Sequence, residues 1–536
     1  MLHPKRSAAR RSVPCPVRIV CTPDSSERER LYPHLRYLWF QRGLHVYRGD
    51  SMFRTAGVLW DRDDGLQWEL ATVVNQMRAA MGARIYLENT TVRLNRAFAK
   101  TVLLTALSLA AFPAGGSLAL AADQGTFRNV PYTIQYGPPN GLTEGSPGVF
   151  YSNAGSANQA VFSITPQGAN SILATFPTSH YIQAPLVSAA NGRFYSAVSY
   201  AHNPVNSFSV GPAPGSLQLY PAQTIDPMPT QNLPDGGLLG VAVALSPSPP
   251  YYLVKCDLEG KVTTIYQFPA GESLPHTAIY ASDGNYYGVS VLQDGSGYVY
   301  RVTPRGTLAK LLTFPPKSFR GTPVYVPLFE AGDGNLYGAT ATGGDNAKGT
   351  IYKLTLDGQY TLLYTLPKSP HTFSPTALME ASDGNIYGAT LGIESQLFRI
   401  TKSGNYTLLH TMNAYTDGQC QCQLTQGSDG AIYGTALLGG LRGFGDVFVW
   451  NAGLPKPKPR VLRFSPESGP VGTKVLVWGF DLLSGSVEFN GARATEVSNS
   501  GSNYIRATVP PGATTGPIRT TTPGGTAMTH TSFTVQ

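Results

Sequence analysis

The sequence predicts an all-β protein in which a seven-bladed β-propeller is followed by an immunoglobulin-like β-sandwich. The chain of 536 residues contains 58 Gly and 42 Pro but only 13% charged residues, a composition that disfavours both helical architecture and disorder. A unit of 44 to 50 residues recurs seven times, and strand-like runs continue beyond a proline-rich linker. We therefore expect five segments, in chain order: a non-native or disordered upstream extension (1–80), a signal peptide (81–121), the propeller (126–453), the linker (454–459) and the sandwich (460–536).

The excess positive charge lies in the N-terminal part of the chain. The formal net charge is +8, and residues 1–121 carry all of it, with 17 basic and 9 acidic residues. Residues 122–536 hold 23 residues of each sign. Because binding to nucleic acid relies on an excess of Lys and Arg, we expect no nucleic-acid partner.

An uncharged apolar run spans residues 101–122 and follows three basic residues, Arg93, Arg96 and Lys100. It ends in the small residues Ala119 and Ala121, so it has the basic, apolar and small-x-small parts of a secretory signal peptide. We expect cleavage after Ala121. The product is expected to be secreted or held at the cell surface, in the periplasm or outside the cell.

A membrane anchor is the alternative interpretation, because about 20 apolar residues suffice to cross a bilayer and this run has 22. Pro113 and the pair Gly115-Gly116 interrupt such a helix and favour cleavage, which leaves no stable membrane span. Residues 1–80 contain 12 Arg and one Lys, whereas residues 122–536 contain 12 Arg and 11 Lys. This difference indicates upstream sequence read through from a misplaced start, with Met81 as initiator; a cytoplasmic extension is the other interpretation.

Three cysteines follow the predicted cleavage site: Cys256, Cys420 and Cys422. An odd number leaves at least one thiol unpaired within a monomer. The C-x-C pair is compatible with a strained disulfide, a metal contact or two core residues. No nearby Cys or His supplies the further ligands that a zinc site requires.

Seven copies of one motif define the repeat. The clearest copies read SDGNYYG, GDGNLYG, SDGNIYG and SDGAIYG, and they begin at Ser282, Gly332, Ser382 and Ser428. Weaker copies begin at Pro147, Asn191 and Asp235. Measured at the position of the motif Asp, which is residue 147, 191, 235, 283, 333, 383 or 429, successive copies are separated by 44, 44, 48, 50, 50 and 46 residues. A unit of this length is typical of a propeller blade and is too long for the coil of a parallel β-helix.

Each unit is predicted to contain four strands. Asp-Gly between two β-rich runs favours a type I′ hairpin, since Gly adopts positive φ at low cost. The last unit stops after its third strand, Asp446 to Gly453, and the run Tyr132 to Gly137 matches the missing fourth strand. We expect this N-terminal strand to complete the seventh blade, which would leave the ring without an open edge.

The repeats resemble those of GloVer-type choice-of-anchor tandem repeat proteins, a group of bacterial surface and secreted proteins. The resemblance is carried by the DGNLYG core that ends at Gly338 and by the ATATGGDNAKGTIYKLT run that follows it. It covers residues 126–453, although the first three units depart from the pattern. It implies a secreted or surface location and brings no established chemistry.

The C-terminal segment resembles an IPT/TIG domain, an immunoglobulin-like module. Four motifs carry this resemblance: SPESGPVGT from Ser465, SVEFNG from Ser486, TVPPG from Thr508 and TPGG from Thr522. The resemblance implies a module that contacts protein or glycan, or acts as a spacer, and is not catalytic.

No P-loop, nucleophile elbow, HExxH or EF-hand motif occurs in the sequence. The Asp of each clear turn is explained by the turn itself, and the repeated Tyr by packing between blades. We therefore assign no catalytic residue, no metal ligand and no cofactor.

The candidate ligand-binding residues lie where propellers bind their ligands, in the loops of one face or in the central channel. Histidines of these loops are His180, His202, His276 and His371, accompanied by Asp294, Asp345, Glu394 and Arg442. Three of the histidines, His180, His276 and His371, follow fourth strands and could converge. Glu330 and Glu380 lie three residues before their turns, so in the channel they could hold a cation, act as acid and base, or simply line a solvated channel.

We expect an exported, monomeric and non-catalytic binding or cell-surface interaction protein. Its ligand would be a glycan or a protein, bound on the propeller face, with the IPT/TIG module as spacer or second contact. The alternatives are a carbohydrate-active propeller and a metal-dependent lyase resembling the streptogramin-cleaving propellers, in which Trp-Phe follows DGN where this chain has Tyr-Gly. A stoichiometric divalent metal that is lost on substituting His276 and His371 would favour the lyase.

Overall fold

Every helix or strand assigned in the described residues of the computed structural model is a β-strand, as the composition predicts. The structure describes four short strands before residue 88 and residues 125–536 except 132–138, 155–158, 178–179, 183, 201–202, 221–224, 245–249, 270–271, 273–276, 293, 317–327, 369–371, 421–422, 437–438, 441–442 and 444. Within these residues no helix is long and apolar enough to cross a membrane. The predicted signal peptide and its cleavage site at Ala119 and Ala121 lie outside the described residues.

The chain divides into two units, Met1–Ala121 and Ala122–Gln536. Two antiparallel strand pairs are described in the first unit. They are β1 (Ile19–Val20) with β4 (Tyr86–Leu87), and β2 (Leu44–Arg48) with β3 (Ser51–Thr55).

Seven antiparallel sheets follow one another in the described part of residues 126–451. Sheets 1 and 3 to 6 are meanders of four strands, paired in chain order. The strands of sheets 1 to 3 are β6 (Thr143–Ser146), β7 (Val149–Ala154), β8 (Gln159–Ile164), β9 (Asn170–Phe176); β10 (His180–Ile182), β11 (Val187–Ser188), β12 (Phe194–Tyr200), β13 (Asn203–Val210), β14 (Gln218–Leu219); β15 (Ile225–Asn232), β16 (Leu238–Ala244), β17 (Tyr251–Cys256) and β18 (Val262–Gln267). Sheet 2 has five strands, because two short strands, β10 and β11, both pair with β12.

Sheets 4 to 6 contain three of the four clearest copies of the motif, and their strands also pair in chain order. Their strands are β19 (Thr277–Tyr280), β20 (Tyr286–Val291), β21 (Gly297–Val302), β22 (Leu308–Phe314); β23 (Phe329–Glu330), β24 (Leu336–Thr340), β25 (Thr350–Leu354), β26 (Tyr360–Thr365); β27 (Thr372–Glu380), β28 (Ile386–Gly392), β29 (Glu394–Ile400) and β30 (Tyr406–Asn413).

An N-terminal strand completes the seventh sheet, but it is not the predicted one. Sheet 7 pairs β31 (Leu424–Gln426), β32 (Ile432–Ala436) and β33 (Asp446–Asn451) with β5 (Thr126–Asn129). The predicted run, Tyr132 to Gly137, lies after β5 and outside the described residues. Tertiary contacts explain the difference, because β5 places Phe127 against Phe448 with ring centroids 5.3 Å apart.

The N-terminal strand also contacts the sheets on either side of sheet 7. Phe127 stacks on His410 of sheet 6 with ring centroids 4.1 Å apart, and Asn129 Nδ2 donates to the Thr416 carbonyl at 2.8 Å. Arg128 donates to the carbonyl of Pro166, in the turn before β9 of sheet 1, at 2.9 Å. One short strand therefore links three sheets.

Apolar clusters are shared by each sheet and the next. Tyr387 of sheet 6 packs in one cluster with Ile432 and Phe448 of sheet 7. Phe150 of sheet 1 packs in another with Tyr433 of sheet 7, so the first and last sheets pack like any neighbouring pair. Five further clusters join the intervening pairs. The buried tyrosines of the motif lie in these clusters, which confirms their predicted packing role.

The C-terminal module, residues 460–536, consists of two sheets that share one apolar core, in which Val477, Ile505 and Phe533 are buried. The first sheet has the order β34, β36, β40, β39 and the second the order β35, β42, β41, β37, β38. These strands are β34 (Arg460–Ser465), β35 (Ser468–Gly469), β36 (Lys474–Phe480), β37 (Ser486–Phe489), β38 (Ala492–Arg493), β39 (Val497–Ser500), β40 (Tyr504–Thr508), β41 (Gly516–Thr522) and β42 (Gly525–Val535).

Candidate functional site

The turns of the seven sheets fall at two ends. Because the strands of a meander alternate in direction, one end carries the turns between first and second strands and between third and fourth strands. We call it the Asp-Gly end. The loop end carries the connections between second and third strands and those that lead to the next sheet. The side chains at the two ends make different hydrogen bonds.

At the Asp-Gly end, the tyrosine of each of the four clear motifs donates a hydrogen bond to the Asp of the same motif. The tyrosine hydroxyl donates to the carboxylate of the turn Asp four residues earlier, over distances of 2.6, 2.8, 3.1 and 2.7 Å for Tyr287, Tyr337, Tyr387 and Tyr433. The other carboxylate oxygen accepts from the backbone N–H two residues on. Both carboxylate oxygens of each of the four Asp residues therefore accept hydrogen bonds within the motif.

These hydrogen bonds shift the pKa of the tyrosines and of two of the Asp residues, Asp283 and Asp333. Burial alone would raise the pKa of Asp283, but the hydrogen bonds from Tyr287 and Asn285 hold the pKa below its usual range. The same balance lowers the pKa of Asp333. Burial first, and the adjacent carboxylate second, raise the pKa of all four tyrosines, so each remains a proton donor at neutral pH.

The glycine after the motif tyrosine is required at Gly388 and Gly434 by close approach of a neighbouring strand. Gly388 pairs with Phe398, whose ring lies over the glycine. A Cβ at position 388 would overlap that ring and come 2.8 Å from the Ala377 carbonyl oxygen. Gly434 stands in the same relation to Phe448. The Tyr-Gly pair is thus a packing feature of the sheet.

Glu330 and Glu380 link neighbouring sheets at this end. Each carboxylate accepts from the backbone N–H in the turn of the preceding sheet, Glu330 from Ser282 at 2.8 Å and Glu380 from Gly332 at 2.5 Å. Glu144 does the same with Ser428 at 2.8 Å, and the Gln426 amide oxygen with Ser382 at 2.8 Å. We call these contacts inter-sheet ties.

Sequence reasoning missed Glu144 and Gln426 as members of this set. Their signal was available, because both lie three residues before the first turn position of their own unit, like Glu330 and Glu380. Burial raises the pKa of Glu144, although the hydrogen bonds from Ser428 and Gly148 oppose the shift. Glu380 also pairs with Lys402 Nζ at 2.6 Å.

At the loop end, the structure describes only part of the predicted set. The backbone of His180 begins β10, while His202, His276 and His371 lie outside the described residues, as does Arg442. Asp294 accepts from the Ser296 N–H at 2.9 Å and from its hydroxyl at 2.6 Å, and Glu394 begins β29. The predicted convergence of His180, His276 and His371 stays a prediction.

A carboxylate that the sequence did not single out lies on the connection from sheet 3 to sheet 4. Glu272 Oε2 accepts from the Tyr298 hydroxyl at 2.6 Å and from the Ser290 hydroxyl at 2.8 Å. Lys310 Nζ lies 3.9 Å from the centroid of the Tyr298 ring. Burial, followed by the bond to Glu272, raises the pKa of Tyr298. This cluster fixes the connection at the loop end of sheet 4.

The cysteines divide into two kinds. Cys420 is fully buried and disulfide-bonded. Cys256 is a free thiol in the cluster between sheets 2 and 3, where burial raises its pKa to about 12. A thiol with this pKa is inert at neutral pH.

The linker and the C-terminal module lie against the Asp-Gly end. The Pro455 carbonyl accepts from the Ser382 hydroxyl at 2.6 Å, and Leu454 packs on the cluster between sheets 6 and 7. Trp478 Nε1 donates to Asn232 Oδ1 at 3.1 Å, and the Tyr504 hydroxyl donates to the Leu233 carbonyl at 2.6 Å. Turns of several sheets are therefore covered by the rest of the chain.

Among the described side chains, no three of His, Cys, Asp and Glu come together as a metal site would require. The acidic residues of the Asp-Gly end act as acceptors within turns and between sheets. The repeated Asp and Tyr side chains are thus already hydrogen-bonded within the fold.

Three solved structures illustrate what the chain is similar to. The BP39L lectin from Burkholderia pseudomallei is 12% identical, and the match covers 60% of this chain and 98% of the lectin with a TM-score of 0.44. The WD40 β-propeller domain of Doa1 is 10% identical, and the match covers 61% of this chain and 97% of that domain with a TM-score of 0.39. A fungal alcohol oxidase of the AA5 family in complex with copper is 11% identical, and the match covers 77% of this chain and 99% of the oxidase with a TM-score of 0.39. At these TM-scores the similarities carry no argument about activity. No curated protein matches the sequence.

The repeats themselves match a known family model. Residues 227–448 match the Gloeobacter/Verrucomicrobia repeat, a stretch that covers sheets 3 to 6 and most of sheet 7. The repeats of residues 227–448 are therefore of the GloVer type, as their motifs predict.

Proposed function

We propose that this is an exported, non-catalytic binding protein whose ligand, a glycan or a protein, binds at the loop end. In this proposal the seven sheets are the blades of a closed seven-bladed β-propeller, and residues 460–536 are an immunoglobulin-like IPT/TIG sandwich. One observation carries the proposal: the linker and module occupy much of the Asp-Gly end, through Pro455, Trp478 and Tyr504. The loop end is left as the surface for a ligand.

Closure of the ring is supported by the packing of sheet 7 on sheet 1. The cluster that joins them is of the same kind as those between consecutive sheets, and β5 contributes the fourth strand of sheet 7. An N-terminal strand that pairs with the last blade joins the two ends of the array, a closure typical of propellers.

A non-catalytic role is supported by the engagement of the repeated polar side chains. The turn Asp residues bond their own tyrosines, and Glu330 and Glu380 bond neighbouring turns. A general acid or base must instead reach a substrate proton.

Export is supported by the sequence and by two features of the structure. The boundary between the two units falls between Ala121 and Ala122, where cleavage is predicted. The disulfide at Cys420 suits an oxidising compartment, in which such bonds persist. N-terminal sequencing of the exported product tests this part, and a start upstream of Ala119 would refute it.

The binding proposal is tested by screening the exported product against immobilised glycans and cell-surface proteins. The double variant His276→Ala/His371→Ala removes two histidines that the sequence predicts in the ligand-binding loops, and Lys261→Ala, at an exposed turn of the Asp-Gly end, is the matched control. We expect a ligand whose affinity falls at least tenfold in the double variant and is unchanged in the control. Substrate turnover, with a stoichiometric divalent metal lost in the double variant, would replace this proposal by the lyase.

A further inference from the structure

Inter-sheet ties occur at four of the seven equivalent first-strand positions. The position three residues before the first turn position is Glu or Gln in sheets 1, 5, 6 and 7, and each of these four side chains accepts from the preceding turn. In sheets 2, 3 and 4 the same position holds Ser188, Asn232 and Tyr280. The junctions between sheets 1 and 2, 2 and 3, and 3 and 4 therefore depart from the pattern.

The chemistry of these three positions explains why the tie is missing there. Tyr280 has no carboxylate or amide, and the residue that would donate to it in the turn of sheet 3 is Pro234, which has no backbone N–H. Asn232 donates through Nδ2 to the Ser188 carbonyl at 3.3 Å. The Ser188 hydroxyl is buried and has no hydrogen-bond partner among the described residues.

The C-terminal module contacts these same three residues. Trp478 donates to Asn232 Oδ1 at 3.1 Å and packs edge-on against Tyr280, with ring centroids 5.9 Å apart. Arg463 lies 5.7 Å from the centroid of the Tyr280 ring on the same surface. Gly501 packs so closely on Ser188 that a Cβ added to it would come 2.7 Å from the Ser188 Cβ.

The module also binds the backbone of the adjoining turns. The Tyr504 hydroxyl donates to the Leu233 carbonyl at 2.6 Å. The Ser500 hydroxyl and the Arg506 guanidinium donate to the Ala190 carbonyl at 3.0 and 3.3 Å. Trp478 and Tyr504 are 1% and 0% exposed, so both side chains are buried, and the polar atom of each donates a hydrogen bond to sheet 3.

We infer that the C-terminal module is an intramolecular clip that holds sheets 2, 3 and 4 together, where the inter-sheet ties between sheets 2 and 3 and between sheets 3 and 4 are missing. The role does not depend on any ligand and so goes beyond the proposed function. Sheets 3 and 4 are also joined farther along their strands, where Gln231 accepts from the Tyr280 N–H at 2.6 Å and Thr230 donates to Ala278 at 2.8 Å. In the turns of sheets 2 and 3, the carbonyls of Ala190 and Leu233 accept hydrogen bonds from the module.

Hydrogen–deuterium exchange of the whole exported protein tests the inference. Tyr504→Phe removes one hydroxyl and keeps the ring, and Trp478→Ala removes the central anchor. Met528→Ala, a change at an exposed residue on β42 of the other sheet of the module, is the matched control.

We expect exchange in the turns at 188–193 and 232–237 to rise about tenfold in Tyr504→Phe, the effect of one lost hydrogen bond, and further in Trp478→Ala. Exchange in the turn at 428–431, which has its own tie, should not change. Two results would overturn the clip: a rise confined to the module, or an equal rise in all seven turns. The exchange pattern of Tyr504→Phe distinguishes these outcomes even if Trp478→Ala does not fold.

Discussion

Substitution of Glu380 distinguishes a structural tie from a ligand site. Its carboxylate accepts from the Gly332 N–H at 2.5 Å and pairs with Lys402 at 2.6 Å, with side chains 19% and 29% exposed. Glu380→Ala removes both contacts, whereas Glu380→Gln keeps an amide oxygen for the N–H. The chain already contains the amide form of this tie, because Gln426 accepts from Ser382 at 2.8 Å.

The expected magnitudes follow from these contacts. A hydrogen bond to a charged group contributes about 1.5–3 kcal/mol, and a partly exposed ion pair about 0.2–1 kcal/mol. Glu380→Ala should therefore lower the free energy of unfolding by about 2–4 kcal/mol. Glu380→Gln should lose the ion pair and the extra strength of a bond to a charged acceptor, about 1–2.5 kcal/mol in all, which is less than the loss in Glu380→Ala.

Urea denaturation of both variants and the parent, followed by tyrosine and tryptophan fluorescence, measures the difference. Equal destabilisation by Ala and Gln would refute the reasoning, since it would mean that the negative charge and not the acceptor matters. Unchanged stability in Glu380→Ala would refute it as well, and would return Glu380 to the set of ligand-binding candidates.

Three further predictions concern the fold. Gly388→Ala should lower the free energy of unfolding by about 1–3 kcal/mol, because the added Cβ overlaps the Phe398 ring; a thermal midpoint equal to that of the parent would contradict this. Tyr433→Phe keeps the ring against Phe150 but leaves Asp429 without its 2.7 Å donor, so we expect a loss of about 1.5–3 kcal/mol in urea, abolished when Asp429→Ala is already present. Burial, opposed by Arg460 and reinforced by Glu144, raises the pKa of Asp481 from 3.8 to about 6, so the folded state binds the extra proton and loses stability as pH rises from about 4 through 6. Asp481→Asn should accordingly be more stable than the parent at pH 7 by up to about 3 kcal/mol and no more stable at pH 3, and a pH-independent difference between the two proteins would be contrary to expectation.

The repeat made much of the fold predictable. Asp-Gly spacing located the hairpins, and the buried tyrosines of the motif pack between sheets as expected. The closing strand was misplaced because local pattern favoured residues 132–137, while β5 is selected by contacts of Phe127 with Phe448 and His410. β-propensity depends on such neighbours, and a single strand does not reveal them.

The roles of the candidate site residues were less accessible from the sequence. Glu330 and Glu380 stood out by position, but their partners lie in the preceding sheet, 48 residues away in each case. Glu144 and Ser428 are 284 residues apart. The docking of Trp478 on Asn232, 246 residues away, leaves no periodic signal at all. The proline-rich linker contacts sheets 6 and 7 through Leu454 and Pro455, and its sequence does not indicate these contacts.

The central claim is that the repeated carboxylates serve the fold and hold neither metal nor substrate. Elemental analysis of the exported protein, purified without chelators, tests this claim most directly. We predict a substoichiometric content of divalent metal that is unchanged in Glu330→Gln and Glu380→Gln. One equivalent of metal per chain, lost in either of these variants, would contradict the account.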